Sequence, residues 1–407
     1  MTVSPIVRSG DRWIVVVAAG ILSFTAMMEM SALNLALPAI ARHTGTTTTV
    51  AQIAIIGYQA MLTICLIPAG RFLAAHDARR TVLGALTLFA ATGVLAAFAP
   101  GDEIGIVWTT AWRTLQGAAA AVLFVCMPLL STGAVSPQRR ARALSVTTGL
   151  GSLGIVMGPV LAGPLIDNFG WQSALLLKIP ACVSAGWILA RTPPGSLAGA
   201  RGRPRRGDGG RPEDESPTKY IVLAVGLVAS AASVVPLGVS IALQAAGGSA
   251  TDAAMVIIVQ AAAMAAVGLV AGMLADRIGP SRLVVIGVAA VTVGLVAMVL
   301  HRGDWSIGEL AWRLALVGVG MGLYGGPAQA WVMSSVAPAR AAIAASHMQL
   351  ARTTGFIVGP LIAASLWTAP VVPNPALTVA AAVAACAAIL LAHHRTHHRT
   401  TSREDTR

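Results

Sequence analysis

Gly272-Met273-Leu274-Ala275-Asp276-Arg277-Ile278-Gly279, followed by Pro280-Ser281-Arg282, is a short polar hinge between apolar runs at 253–275 and 283–300. Each run is long enough to cross a bilayer as a helix, since about 20 apolar residues span about 30 Å. Gly272 lets two helix backbones approach closely, and Gly279-Pro280 ends one helix and turns the chain. Asp276 and Arg277 stand at the helix end, where a carboxylate can engage a helix N-terminus or an arginine.

The hinge has a partner 202 residues earlier, at Gly70-Arg71-Phe72-Leu73-Ala74-Ala75-His76-Asp77-Ala78-Arg79-Arg80. Ala111-Trp112-Arg113 recurs as Ala311-Trp312-Arg313, an offset of 200. Pro137 answers Pro338, and Gly158-Pro159 answers Gly359-Pro360, both at 201. Four features at one spacing, close to half of 407 residues, describe an internal duplication. Two related halves around a shared central site form a transporter architecture.

Composition agrees with a membrane protein. The chain is 56% hydrophobic and 11% charged, with a mean hydropathy of +0.75. Apolar runs predict an all-α protein of twelve spans: 13–40, 49–72, 80–99, 104–131, 141–166, 171–190, 219–246, 253–275, 281–300, 306–333, 340–367 and 374–392. The organisation expected is a six-helix half at 1–190, a disordered linker at 191–219, a second half at 220–392 and a tail at 393–407. The first 12 residues are too polar for a signal peptide and the first span is too long for a cleaved one, so it is expected to remain.

Net charge +12 would suggest nucleic acid in a soluble chain. Here 22 of the 28 lysines and arginines fall on the side holding both termini, and only Arg42 and Arg302 fall opposite. Positive charge stays cytoplasmic, so both termini are expected inside a bacterial inner membrane. The basic patches read as topology signals with some attraction to anionic lipid, and no nucleic-acid partner is expected. Cys65, Cys126, Cys182 and Cys386 lie in spans without metal-ligand spacing. The histidine-rich tail 393–399 reads as solvated, so neither metal nor cofactor is expected. There is no G-x-x-x-x-G-K-[ST] loop and no catalytic cluster at one membrane depth, so neither direct ATP use nor an enzyme is expected.

Glu29 is the one acidic residue placed well inside a span. A carboxyl group at that depth is expensive and ordinarily faces a cavity and works. The embedded cations are Arg113, Lys178, Arg313 and Arg352. Four cations against one carboxylate point to neutral or anionic compounds.

The hinge pattern, with Gly272, Asp276, Arg277 and Gly279, resembles the loop motif G-x-L-x-D-R-x-G-x-x-R of the major facilitator superfamily. That motif joins the second and third spans of each half. The first copy keeps Gly70 but has Ala74 for the Asp and Asp77 for the Gly, which implies a weaker interlock. Met28-Glu29-Met30-Ser31-Ala32-Leu33-Asn34-Leu35-Ala36-Leu37-Pro38 resembles the first-span motif L-D-x-T-x-x-N-x-A-L-P of drug:proton antiporters, with Glu for Asp. Arg113-Thr114-Leu115-Gln116-Gly117 matches R-x-x-Q-G. In related antiporters this arginine is tied to proton exchange, so Glu29 is the implied proton carrier and Arg113 its regulator. Gly154-Ile155-Val156-Met157-Gly158-Pro159-Val160-Leu161-Ala162-Gly163 resembles the antiporter signature G-x-x-x-G-P-x-x-G-G, with Ala162 for one Gly. It is a small-residue packing face kinked at Pro159.

The resemblance implies a monomeric exporter of small amphipathic molecules that exchanges them for protons across the bilayer. A symporter or facilitator for a small metabolite is the alternative. Asn34, Gln116, Lys178, Gln244, Arg313, Gln349 and Arg352 are the residues expected at the substrate cavity. For Lys178, which stands where F-x-I-N-x-P carries Asn, outward snorkelling is an equal alternative. His347 is the fallback proton site.

Overall fold

The computed structural model of the chain describes residues 11–192, 216–245, 250–301, 306–366 and 374–404. Its helices are α1 (Trp13–His43), α2 (Thr48–Ala51), α3 (Ile53–Ala75), α4 (Ala78–Ala97), α5 (Glu103–Gly133), α6 (Arg140–Phe169), α7 (Gln172–Leu176), α8 (Ile179–Arg191), α9 (Ser216–Ala245), α10 (Ala250–Ile278), α11 (Pro280–Val299), α12 (Ile307–Ser334), α13 (Ala341–Leu366) and α14 (Pro375–Glu404). Among the described residues eleven segments are long and apolar enough to cross a bilayer, one of them Gln172–Arg191, built from α7 and α8. The twelfth is α13, long enough but diluted by Ser346, His347, Gln349, Arg352 and Thr353. The twelve expected spans coincide with these elements, apart from shifts of a few residues at their ends.

Two details differ from the reading of the sequence. The sixth span is divided into two helices, α7 and α8: the backbone stays helical through Leu177 and Lys178, but Pro180 removes one of the donors that would join them. The last helix runs past 392 to Glu404, because no Gly or Pro follows Pro375 to stop it. Most of the expected linker, 193–215, lies outside the described residues.

Short polar residues start the spans. Asp102 accepts from the backbone N–H groups of Ile104 and Gly105 to open α5, and Ser306 accepts from that of Glu309 to open α12. Large side chains such as Ile56, Ile64, Phe98 and Val293 point outward from the bundle. Backbone hydrogen bonds are closed within the helices, as hydrocarbon requires.

Each half repeats the other's pairing. α1 packs on α6 as α9 does on α13, and α3 packs on α5 as α10 does on α12. The halves meet where α6 lies on α10 and where α3 lies on α13. These two seams exchange under the 200-residue offset. At the terminus-bearing end both hinge glycines sit against the other half. A Cβ on Gly272 would stand 2.4 Å from Arg142 Cα, and one on Gly70 would stand 2.6 Å from Ser346 Oγ.

Candidate functional site: a buried charge cluster and a central cavity

α1 carries Glu29 into the core because α6 gives it room. A Cβ on Gly154 would lie 2.3 Å from Phe24 O, and one on Gly158 would lie 2.7 Å from Met28 O. The signature Gly154-x-x-x-Gly158-Pro159 thus seats the turn of α1 that holds the carboxylate. Glu29 is 2% exposed, and around it stand Arg113, Gln116 and Lys178, all at 1% or less.

Arg113 Nη1 and Lys178 Nζ both donate to Glu29 Oε1 at 2.5 Å. Gln116 Nε2 donates to Oε1 at 3.1 Å and to Phe89 O at 3.2 Å, while its Oε1 accepts from Arg113 Nη1 at 2.8 Å. The guanidinium lies 4.3 Å from the centre of the Tyr58 ring, and the ammonium 4.9 Å from that of Phe89. Arg113 Nε and the Tyr58 hydroxyl are buried without a partner. One carboxylate therefore holds two cations, and the cluster carries a net charge of +1 away from water.

Lys178 enters from the junction of α7 and α8, with its backbone at the start of α8. Its head group fits only because residue 93 of α4 is glycine. A Cβ there would stand 2.2 Å from Nζ. Lys178 thus does not snorkel outward. Gln116, expected to offer its amide to substrate, has both ends of that amide engaged in the cluster.

A central cavity lies between the halves. Met27, Phe124 and Met127 face it from one side, Met264, Met321 and Phe356 from the other. Tyr324, Gln329, Gln349 and Arg352 give the second-half wall its polar groups. Arg352 Nη2 is buried and unpartnered. The expected cavity residues Gln349 and Arg352 are thus brought together.

The other expected cavity residues are scattered. Asn34 is exposed on α1 and its amide donates back to Met30 O at 3.1 Å. Arg313 is turned to the start of its own helix, donating to Glu309 Oε2 at 2.5 Å and to Ala297 O at 3.0 Å, with His301 Nδ1 at 3.2 Å. Gln244 falls on the last turn of α9, and its side chain lies outside those described. His347 is exposed and lines a separate groove between α9 and α13.

At the hinges, Gly279 has φ +89°, which an Asp in its place would resist. In the first copy the chain instead takes φ −67° at Asp77, whose carboxylate caps α4 by accepting from Arg80 N. Asp276 is exposed at the foot of α10 and feels the charges of Arg142 and Arg139 across the seam. Arg277 beside it is exposed.

Sequence reasoning did not single out Tyr58, Phe89, Gly93, Tyr324 or Gln329. Only Gly93, a glycine mid-span one turn after Phe89, carried a local signal. Among the described residues no group of histidines, cysteines or carboxylates could hold a metal.

The profile of the Major Facilitator Superfamily matches residues 19–360 and 220–407. The cephamycin export protein CmcT of Amycolatopsis lactamdurans is 30% identical over 182 residues, 44% of this chain and 36% of the relative. The drug efflux pump JefA of Mycobacterium tuberculosis is 29% identical over 168 residues, 40% of this chain and 32% of the relative. The match to these relatives spans about a third of their length. Among solved structures, the transporter FucP in its outward conformation aligns with a TM-score of 0.74 at 14% identity, over 94% of this chain and 99% of that one. The human organic anion transporter MFSD10 aligns with 0.75 at 16%, over 93% and 99%. These two likenesses carry the fold alone. With the profile spanning both halves, the chain belongs to the Major Facilitator Superfamily.

Proposed function

We propose that the chain exports small amphipathic molecules from a bacterial cytoplasm in exchange for protons, by alternating access of its two halves around the central cavity. The observation that carries this reading is the Glu29–Arg113–Lys178 cluster: charged groups buried in the membrane core of the first half and held against one another. Such groups are costly at that depth and mark proton pathways. The cavity is apolar over most of its wall, with an arginine and amides at one side. That suits an apolar body bearing a neutral or anionic hydrogen-bonding group. The outward direction is supported by the relatives, an export protein and an efflux pump.

Both termini are placed on the cytoplasmic side by the distribution of arginine. The close contacts at Gly70 and Gly272 then act as the inner gate. The chain works as a monomer, since one copy contains both halves.

The reading is tested in proteoliposomes with a panel of neutral and anionic amphipathic drugs. An acid-outside gradient should drive export of at least one, and collapsing the gradient should stop it. Export that continues unchanged without the gradient removes the proton coupling. Reporter fusions should place residue 205 inside and residue 102 outside; the reverse overturns the topology.

A further inference from the structure

We propose that the proton exchanged at this cluster rides on Lys178, and that Glu29 stays a carboxylate throughout the cycle. The inference rests on the proton-coupled reading above and assigns the atom that carries the proton.

The argument begins from charge. Glu29, Arg113 and Lys178 sum to +1 in a space closed to water, each side chain being 2% exposed or less. Arginine does not titrate in proteins. Two single-proton changes remain. Protonating Glu29 leaves two cations facing each other without a counter-ion, a net charge of +2. Taking a proton from Lys178 leaves Glu29 paired with Arg113, a net charge of zero. A buried cluster favours the step that lowers its charge, because a lone ion loses its hydration and a pair keeps its partner.

Geometry agrees with that step. Lys178 and Arg113 crowd one oxygen, Oε1, at 2.5 Å each. The other oxygen has only Gln116 Nε2 at 3.4 Å. With Lys178 neutral, Oε1 keeps the arginine, and the amine still has N–H bonds to donate. With Glu29 protonated, two donors would face one oxygen of a neutral acid. The groups acting on Lys178 are Glu29 of α1, Arg113 of α5 and Cys182 one turn along α8. From α4 the Phe89 ring and the hollow at Gly93 face it.

The position also suits a carrier. Lys178 sits two residues before Pro180, where the sixth span lacks a backbone hydrogen bond. In the cycle the ammonium releases a proton to water on one side, leaving the amine. The amine takes a proton from water on the other side and becomes ammonium again. No other bond changes.

The chain makes the test direct, because its only lysines are Lys178 and Lys219. Full-length protein carrying 13Cε-lysine in lipid nanodiscs should give two signals. Lys219→Arg removes the signal of the exposed one and leaves Lys178 assigned. On raising the pH from mildly acid to mildly alkaline, the Lys178 signal should move from the ammonium to the amine position. In vesicles with the drug panel above, Lys178→Met should lose drug-evoked proton flux at least tenfold while the parent retains it. A Lys178 signal fixed at the ammonium position, with proton flux intact in the parent, overturns the inference and leaves the coupled reading standing. Parent vesicles that move drug without protons overturn the reading itself.

Discussion

Arg113 and Arg313 open from the same three residues, Ala-Trp-Arg, yet they do different things. Arg113 reaches Glu29 in the membrane core. Arg313 is captured by Glu309 four residues before it, close to the start of α12. The residue at the matching place in the first half is Thr109, whose hydroxyl donates to Gly105 O and offers no charge. Without a carboxylate one turn before it, Arg113 turns to one on another helix. A duplicated motif thus gives a buried charge cluster in one half and a helix-end pair in the other. The second half supplies the polar wall of the cavity instead, through Gln329, Gln349 and Arg352.

The largest contrast should come from removing each arginine in turn. Arg113→Gln removes one of the two cations on Glu29 and its hydrogen bond to the carboxylate, and hydrogen bonds to charged groups are worth about 1.5–3 kcal/mol. Proton-driven drug export should fall at least about tenfold, because about 1.4 kcal/mol is a tenfold change. The partner of Arg313, Glu309, is 49% exposed, and exposed pairs are worth about 1 kcal/mol or less. Arg313→Gln should therefore leave export within about fivefold of the parent, measured in the same vesicles. Equal losses would show that the halves are functionally symmetric.

A smaller contrast separates the two hinges. Asp276 lies within reach of the charges of Arg142 and Arg139 across the seam, and Asp276→Asn removes that attraction between the halves. A bias of about 1 kcal/mol between access states would change transport about fivefold. Asp77 caps α4, and Asn caps about as well as Asp, so Asp77→Asn should be near neutral in transport and in expression. Similar mild effects of both would count against a working hinge in the second half only.

The smallest expected effect lies at the first half's copy of the Pro137/Pro338 loop. Asp11 accepts from the backbone N–H of Ser136 at 2.7 Å and from Arg139 at 2.5 Å. The Ser136 hydrogen bond first, and Arg139 with it, holds the Asp11 carboxyl below its ordinary value of 3.8. Its folded value is depressed, so its stabilisation is present above the unfolded value and lost as pH falls through the folded one. Asp11→Asn should lower the melting temperature slightly at neutral pH. The difference should vanish in strong acid.

These comparisons also say what could be read before the structure. The halves were legible because glycine, proline and arginine mark helix contacts and turns that recur at one spacing. Glu29 and Arg113 were legible because a charge in an apolar run has few innocent explanations. Lys178 was not, because its partner lies 149 residues away. Nothing in the sixth span says whether a lysine bends outward or inward. The answer sits on α4, where Gly93 leaves the hollow. Gln116 and Arg313 show the converse. Their motifs were recognised, but the nearest polar group decides where such a side chain points. For Arg313 that group, Glu309, stood one turn away in the sequence.

The central claim is that the charge cluster of the first half couples protons to export. Drug-evoked proton movement in inverted vesicles, compared between the parent, Glu29→Gln and Glu29→Asp, tests it most directly. Glu29→Gln removes the one anion that holds both cations in place. It should abolish the proton flux while drug binding, followed separately, remains measurable. Glu29→Asp keeps the charge and should keep part of the flux. If Glu29→Gln still exchanges drug for protons at the parent rate, Glu29 is a packing residue and the coupling site lies elsewhere, with His347 the first place to look.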